Sequence, residues 1–190
     1  MRLRVVFAAL ALAASVTAYG QELNPSFRSE SKAATFMETK GSIIKIDCPF
    51  SETISGWSST LTIEPCVVTN VRSEASERFV RFTGGYNGAN YTSALDEDEI
   101  PALLEALDYI SNETSSGKPS HYMEYKFRSR DGLEVGVYWG ATPMKGGYGW
   151  IVFVAHGKYL LKPSVSFEKG KRLGQIRETV AKAQTALTAE

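Results

Sequence analysis

Alternating apolar and polar residues predict most of the strands of this chain. The pattern has a period of two over residues 61–71, 121–128 and 133–139, which is typical of strands that bury one face. Pro65 interrupts the first of these segments and indicates an edge or a bulge there. The run Trp150–Val154 is apolar on both faces, so it predicts a strand in the middle of a sheet that is covered on both sides.

The last two alternating segments form a predicted hairpin whose register follows from its apolar face. A three-residue loop that ends at Gly132 pairs Phe127 with Val135, whereas a two-residue loop would mix apolar and polar faces. The same register sets Arg128 opposite Glu134 on the other face, where opposite charges stabilise a strand pair. Gly132 is then predicted in the left-handed conformation that favours glycine.

Apolar residues at steps of three and four predict two helices. The first follows the acidic run Asp96–Glu99 and Pro101, which favour a helix start, and its apolar stripe extends to Ile110. The second carries its stripe from Leu173 to Leu187. With the strands, these helices predict an α+β fold, in which an antiparallel β-sheet of about six to eight strands has one mid-chain helix and one C-terminal helix packed on it.

The amino-terminal segment has the pattern of an export signal. Arg2 and Arg4 precede the apolar run Val5–Val16, and small residues end the segment at Gly20. A membrane-spanning helix needs about 20 apolar residues, and this run is too short. We therefore predict a signal peptide over residues 1–20 that is cleaved after Gly20. The protein is then soluble in the periplasm or outside the cell, without stable membrane insertion.

The rest of the chain divides into two predicted parts. Residues 21–41 show no sustained period, so they predict a flexible or loosely docked N-terminal segment. Residues 42–190 contain all the predicted strands and helices and form a single α+β domain. The 190 residues are 43% hydrophobic and 22% charged, which is an ordinary globular composition.

The charge balance argues against a polyanionic partner. The chain has 21 basic and 21 acidic residues, and removal of residues 1–20 leaves 19 basic residues against the same 21 acidic ones. Nucleic acids and anionic membranes bind surfaces with an excess of positive charge. We therefore expect no nucleic-acid partner.

Cys48 and Cys66 are the only cysteines of the chain. An exported protein meets an oxidising compartment, where such a pair usually forms a disulfide. A redox pair normally has closer spacing, and a zinc site needs histidines nearby. The sequence therefore predicts a structural disulfide, and it indicates neither a metal site nor a cofactor.

Catalysis by a histidine would have to use His121 or His156, because the chain has no others. Neither belongs to a recognisable catalytic motif, since no Gly-x-Ser-x-Gly string occurs. A small hydrolase that uses one of them as base stays an alternative. A further alternative is a protein that adds a partner's strand to its sheet edge.

Aromatic side chains give the leading functional hypothesis. The predicted hairpin register sets Tyr122 and Tyr138 on the outer face with Glu124, and Gly136 leaves a shallow depression beside them. Tyrosines supply contact area for ligands and proteins. The sequence therefore favours an exported, non-enzymatic binding or interaction module of the cell envelope, with Tyr122 and Tyr138 at the site and an unknown protein or small ligand as partner.

Overall fold

A computed structural model of the chain describes residues 29–56, 59–86, 89–115, 117–142, 147–157 and 164–189. Within these residues the strands are β1 Ile44–Asp47, β2 Glu52–Ser55, β3 Ser59–Asn70, β4 Ser76–Tyr86, β5 Ala89–Asp96, β6 Glu124–Arg128, β7 Leu133–Ala141, β8 Tyr148–His156 and β9 Ser164–Glu168. The helices are α1 Lys32–Met37, α2 Ile100–Glu113 and α3 Lys169–Thr188.

The nine strands form two antiparallel sheets. The first sheet has the order β1-β3-β4-β5, with β2 also paired to β3, and the second has the order β6-β7-β8-β9. The prediction of an α+β fold with one mid-chain helix and one C-terminal helix is confirmed. The strands are divided over two sheets, and along the chain α2 lies between β5, the last strand of the first sheet, and β6, the first strand of the second. The apolar strand β8 lies between β7 and β9, as its two apolar faces predict.

One main hydrophobic core joins both sheets and the two long helices. Each of these four elements buries an apolar stripe in it, and the stripe of α2 consists of Ile100, Leu103, Leu107 and Ile110. A hydrogen bond of 2.6 Å from the Tyr91 hydroxyl to the Val154 carbonyl also links β5 to β8. The sheets therefore pack as one unit, with Tyr91 as a polar link across the core.

The predicted hairpin register is confirmed. Phe127 pairs with Val135, and Arg128 pairs with Glu134. The Nε atom of Arg128 lies 4.0 Å from Oε1 of Glu134. Gly132 has a φ of 82°, in the left-handed region, and its N–H donates to the Ser129 carbonyl at 3.0 Å. Alternation and loop length therefore suffice to fix this pairing.

The apolar face of β3 changes side partway along the strand, which the sequence did not predict. Leu61 and Ile63 face the main core, whereas Cys66 and Val68 are buried on the opposite face. Pro65 lies at the change. There β3 has a neighbour only on the β4 side, because β2 pairs with residues 60–63 and β1 with residues 67–70. Pro65 thus occupies a local edge, where no N–H is needed.

Helix α1 covers this opposite face, and it lies within the segment for which the sequence showed no period. Its Ala33 is fully buried in a small second cluster with Cys66 and Phe79. The predicted disulfide between Cys48 and Cys66 is confirmed and joins the chain after β1 to β3. The second cluster is therefore held by a helix and a covalent bond as well as by apolar contact.

The predicted signal peptide, residues 1–20, lies outside the described residues. In the described part of the chain, no helix has both the length and the apolar character needed to cross a membrane.

Candidate functional site

Two of the concave regions of the described structure bring together residues that the sequence singled out. The first, which we call the outer groove, crosses the second sheet and has a volume of about 380 Å³. Side chains of all four strands and of the preceding loop line it, namely Tyr122, Glu124, Lys126, Glu134, Tyr138, Phe153, Ala155 and Ser166. The second, which we call the Asp131 pocket, lies beside α1 and β5 and has a volume of about 260 Å³.

Strand register brings the outer-groove side chains onto one face. Glu124 pairs with Tyr138, and one row farther along Lys126 pairs with Gly136. Gly136 in turn pairs with Phe153. Because side chains alternate between faces and paired residues share a face, these residues all lie on the side away from the main core.

Gly136 leaves the middle of the groove open. A Cβ atom at this position would lie closer than 3.0 Å to the carbonyl oxygen of Tyr125 and to the Lys126 side chain. The backbones of β6 and β7 therefore approach too closely for any other residue without a shift. Phe153, which is mostly buried, pairs with Gly136 and forms the floor of the groove.

One wall of the outer groove is a row of alternating charges. Lys126 Nζ lies 3.1 Å from Glu124 Oε1 and 3.9 Å from Glu134 Oε2. Arg128, which is outside the groove lining, lies beside Glu134, whose side chain is only 4% exposed. A carboxylate buried to this extent needs such compensation, and the two cations balance the two acids. This wall is therefore polar but close to neutral.

The other wall is aromatic. The ring of Tyr138 packs against Phe153 with centroids 6.1 Å apart. Tyr122 stands at the rim with 64% of its surface exposed, and its hydroxyl donates to Glu124 Oε2 at 2.5 Å. This hydrogen bond raises the pKa of Tyr122 to about 12, and burial raises the pKa of Tyr138 above its ordinary value. Both phenols therefore stay protonated at neutral pH.

The Asp131 pocket has both apolar and polar lining residues. Met37, Phe79 and Ala94 are among the apolar ones, and Asp131 and His156 are among the polar ones. His156 is 1% exposed, and its Nε2 atom lies 3.6 Å from Asp131 Oδ2. This is the carboxylate and histidine pair that a hydrolase would require.

The hydrogen bonds of Asp131 connect three distant segments. Its Oδ1 accepts from the Ser29 hydroxyl at 2.6 Å, and its Oδ2 accepts from the Ser93 hydroxyl at 3.0 Å and from the Ala94 N–H at 2.8 Å. Burial raises the pKa of Asp131, but hydrogen bonds from His156, Ser29 and Ala94 outweigh it and hold the pKa below its ordinary value. Both serine hydroxyls thus donate to the carboxylate, and the loop after β6 is held against β5.

The structure separates the two histidines. His121 is exposed before β6, with its Nδ1 atom 3.3 Å from the Ser120 hydroxyl. His156 pairs with Leu133, directly after the hairpin loop, and therefore lies at the other end of the second sheet. No three histidine, cysteine or carboxylate side chains come together as metal ligands in the parts of the chain that the structure describes.

The sequence identified part of the outer groove, but of the Asp131 network it identified only His156, as a candidate base. Tyr122, Tyr138 and Glu124 come together around Gly136, as the hairpin register implies. The sequence did not identify Phe153 and Ser166, because β8 is apolar on both faces and no pattern relates it to β9. Asp131 lies in the predicted hairpin loop, where no pattern marks it as functional. Its partner Ser29 is 102 positions away, so no local pattern could have identified the contact.

No protein-family model matches this chain, and no curated protein matches it either.

Proposed function

We propose that this protein is an exported, non-enzymatic binding module that holds a ligand in the outer groove. The observation that carries the proposal is that Tyr122, Tyr138 and Phe153 line the same groove as the charged side chains of Glu124, Lys126 and Glu134. Ligand sites are concave, with an apolar lining and a few converging polar groups. The outer groove has this composition, and its rim keeps a large aromatic surface exposed.

The chemistry of the groove favours binding over catalysis. Glu124 and Glu134 both lie near Lys126, and the Tyr122 hydroxyl is bonded to Glu124. The pKa of Tyr122, at about 12, is far from neutral. General acids and bases work best with a pKa near the operating pH. The Tyr122 hydroxyl is therefore suited to orient a ligand and not to transfer protons at neutral pH.

Export is the second part of the proposal. The charged and apolar start of the chain favours it, and the Cys48–Cys66 disulfide is typical of an oxidising compartment. Mass spectrometry of protein from the periplasmic fraction tests it. We expect an N-terminus at Gln21 and no reaction of the cysteines with a thiol reagent. An intact Met1 with two free thiols, in protein from the cell interior, would refute export.

Ligand-observed fluorine NMR with a library of small aromatic and aliphatic fragments tests the binding site. We expect fragments that bind the wild-type protein and lose binding in the Tyr122→Ala and Tyr138→Ala variants. Tyr148→Ala is the matched control, because Tyr148 is also exposed and lies on the same sheet but outside the groove. Equal binding by all four proteins, or by none, would contradict a site in the outer groove.

Hydrolysis at the Asp131 pocket is a second candidate, which the His156 and Asp131 pair favours. It is the weaker candidate because the hydroxyls of Ser29 and Ser93 donate to the carboxylate. The test is hydrolysis of p-nitrophenyl acetate. If His156 acts as the base, His156→Gln should lower the rate of hydrolysis by about 100-fold or more, and His121→Gln should leave it unchanged. Background rates in all three proteins would exclude it.

A further inference from the structure

The outer groove also indicates the class of its ligand. We propose that the groove binds a neutral saccharide of one or two rings, an inference that rests on the proposed binding function. Three properties of the groove indicate this class, namely the backbone groups that it offers, the charge that it carries and the presence of both aromatic and polar side chains.

The groove lies on the face of a sheet and not at its edge. Strands β7 and β8 each pair with a neighbour on both sides, so their N–H and C=O groups are used in the ladders. The floor of the groove therefore offers side chains only. An extended peptide is usually recognised through its main chain at an open strand edge. The floor provides no such edge, which disfavours a peptide strand as the occupant.

The charges of the groove favour a neutral ligand. An anion would approach the carboxylates of Glu124 and Glu134, and a cation would approach Lys126, which lies between them in the groove lining. Arg128, outside the lining, lies beside Glu134 and offsets its charge, so a charged ligand of either sign gains little from the groove. Nucleic acids and phosphate headgroups are disfavoured for the same reason. The polar wall is instead suited to donate and accept hydrogen bonds with uncharged hydroxyl groups.

The two walls match the two surfaces of a sugar ring. A pyranose has a flat C–H face, which packs on aromatic rings, and hydroxyl groups around its edge, which form hydrogen bonds. Tyr138 and Phe153 supply the aromatic surface, and Glu124 and Ser166 supply hydrogen-bonding groups in the same groove. The volume of about 380 Å³ lies at the small end of ligand sites, which span roughly 300 to 1,000 Å³. One or two rings are therefore the expected size.

Isothermal titration calorimetry and saturation-transfer NMR test this class directly. The probes are glucose, galactose, mannose and N-acetylglucosamine, with disaccharides of each. We expect at least one of them to bind the wild-type protein, and Tyr138→Ala and Tyr122→Ala to weaken its affinity by about tenfold, which is the loss of one good ring contact. Tyr148→Ala should bind as the wild type does. Thermal unfolding of each variant distinguishes a loss of binding from a loss of folding. Because Tyr122 is exposed, Tyr122→Ala is expected to disturb the fold less than Tyr138→Ala.

The result that overturns the saccharide proposal differs from the one that overturns the binding function. If no saccharide binds at about 10 mM while fragments still bind in a tyrosine-dependent way, the ligand class is wrong and the binding module stands. If a saccharide binds the groove variants as well as it binds the wild type, its site lies elsewhere and the proposal fails. If neither saccharides nor fragments bind, both proposals fail together.

Discussion

The outer groove and the Asp131 pocket differ in what their polar groups contact. In the Asp131 pocket, a buried carboxylate is fully engaged by two serine hydroxyls, a backbone N–H and His156. In the outer groove, the aromatic surface of Tyr122 is open to solvent, and the charged groups balance one another along a wall. The pocket has apolar walls and an acid with a histidine, yet those groups hold the protein together.

This difference shows why a histidine beside a carboxylate is insufficient evidence for catalysis. A catalytic pair must be aimed at a substrate, whereas Asp131 is aimed at Ser29, Ser93 and Ala94. Buried polar groups stabilise a fold when all their partners are present, and they cost stability when one is removed. The comparison therefore predicts large stability effects at the Asp131 pocket and small ones at the rim of the outer groove.

Replacement of Asp131 by alanine should have the largest effect. It leaves two hydroxyls, the Ala94 N–H and the buried His156 without their acceptor, and loss of one partner of such a network costs about 3 to 5 kcal/mol. Urea unfolding measures the free energy. Asp47→Ala is the control, because Asp47 is exposed and pairs only at the surface with Lys45. A change below about 1 kcal/mol for Asp131→Ala would contradict its role.

Removal of the disulfide should have the next largest effect. The bond closes a loop with a sequence separation of 18, for which chain entropy predicts a stabilisation of about 3 kcal/mol. Urea unfolding of a Cys48→Ser, Cys66→Ser double variant checks this value. A loss much larger than that would show that the second cluster, with α1 on it, unfolds as well.

Gly136→Ala should cost about 1 to 3 kcal/mol, because the added Cβ atom has to displace the backbone of β6. Gly174→Ala is the matched control. Gly174 lies within α3, and no atom lies near the position that a Cβ would take. The Gly174→Ala variant should therefore be more stable than the wild type by up to about 1 kcal/mol. Thermal unfolding distinguishes the two directions. Equal shifts for both variants would mean that β6 and β7 do not approach closely at Gly136.

A fall in pH should lower the free energy of unfolding, partly through the protonation of Asp131. The pKa of this group is lower in the folded protein than its ordinary value, so its contribution is present above the unfolded pKa of about 3.9 and is lost as the pH falls through the folded pKa. Unfolding free energies measured from pH 6 downwards, at about half-unit steps, should therefore fall less steeply for Asp131→Asn than for the wild type. Parallel pH profiles would show that Asp131 titrates alike in both states.

Tyr122→Phe should have the smallest effect on stability, within about 0.5 kcal/mol, because the side chain is exposed at the rim of the groove. Its hydroxyl donates a hydrogen bond to Glu124, and such an exposed bond contributes little to stability. Urea unfolding checks the stability. A loss above about 1 kcal/mol would place Tyr122 among the residues that hold the fold, and it would remove the contrast between the two regions.

The hairpin of β6 and β7 shows how far local patterns reach. A period of two gave the face, the loop length gave the register, and Gly132 gave the left-handed turn, all from neighbouring residues. A shift of the pairing by one residue would move the apolar side chains of a strand to its solvent-exposed face. The position of the apolar face therefore determines the register. The grouping of Tyr122 and Tyr138 followed from the same argument.

Local sequence patterns did not predict the contacts between segments that are distant along the chain. Helix α1 is short and lacks a clear apolar stripe, and it is held by Asp96, which accepts from the Ser31 hydroxyl at 2.8 Å and from the Ala33 N–H at 3.0 Å. Isolated short helices are marginal in water, so such a helix forms because tertiary contacts fix it. The change of face along β3 has the same origin, since α1 provides the cover that buries Cys66 and Val68.

The sequence by itself determined the alternating strands and the two amphipathic helices, because each pattern consists of side chains that are close along the chain, and its single pair of cysteines determined the disulfide. Only the tertiary structure decided that the strands form two sheets, that Asp131 joins three segments, and that Phe153 completes a groove with Tyr138. The physical reason is that secondary structure depends on local periodicity, whereas a site depends on which distant side chains the packing of sheets and helices brings together.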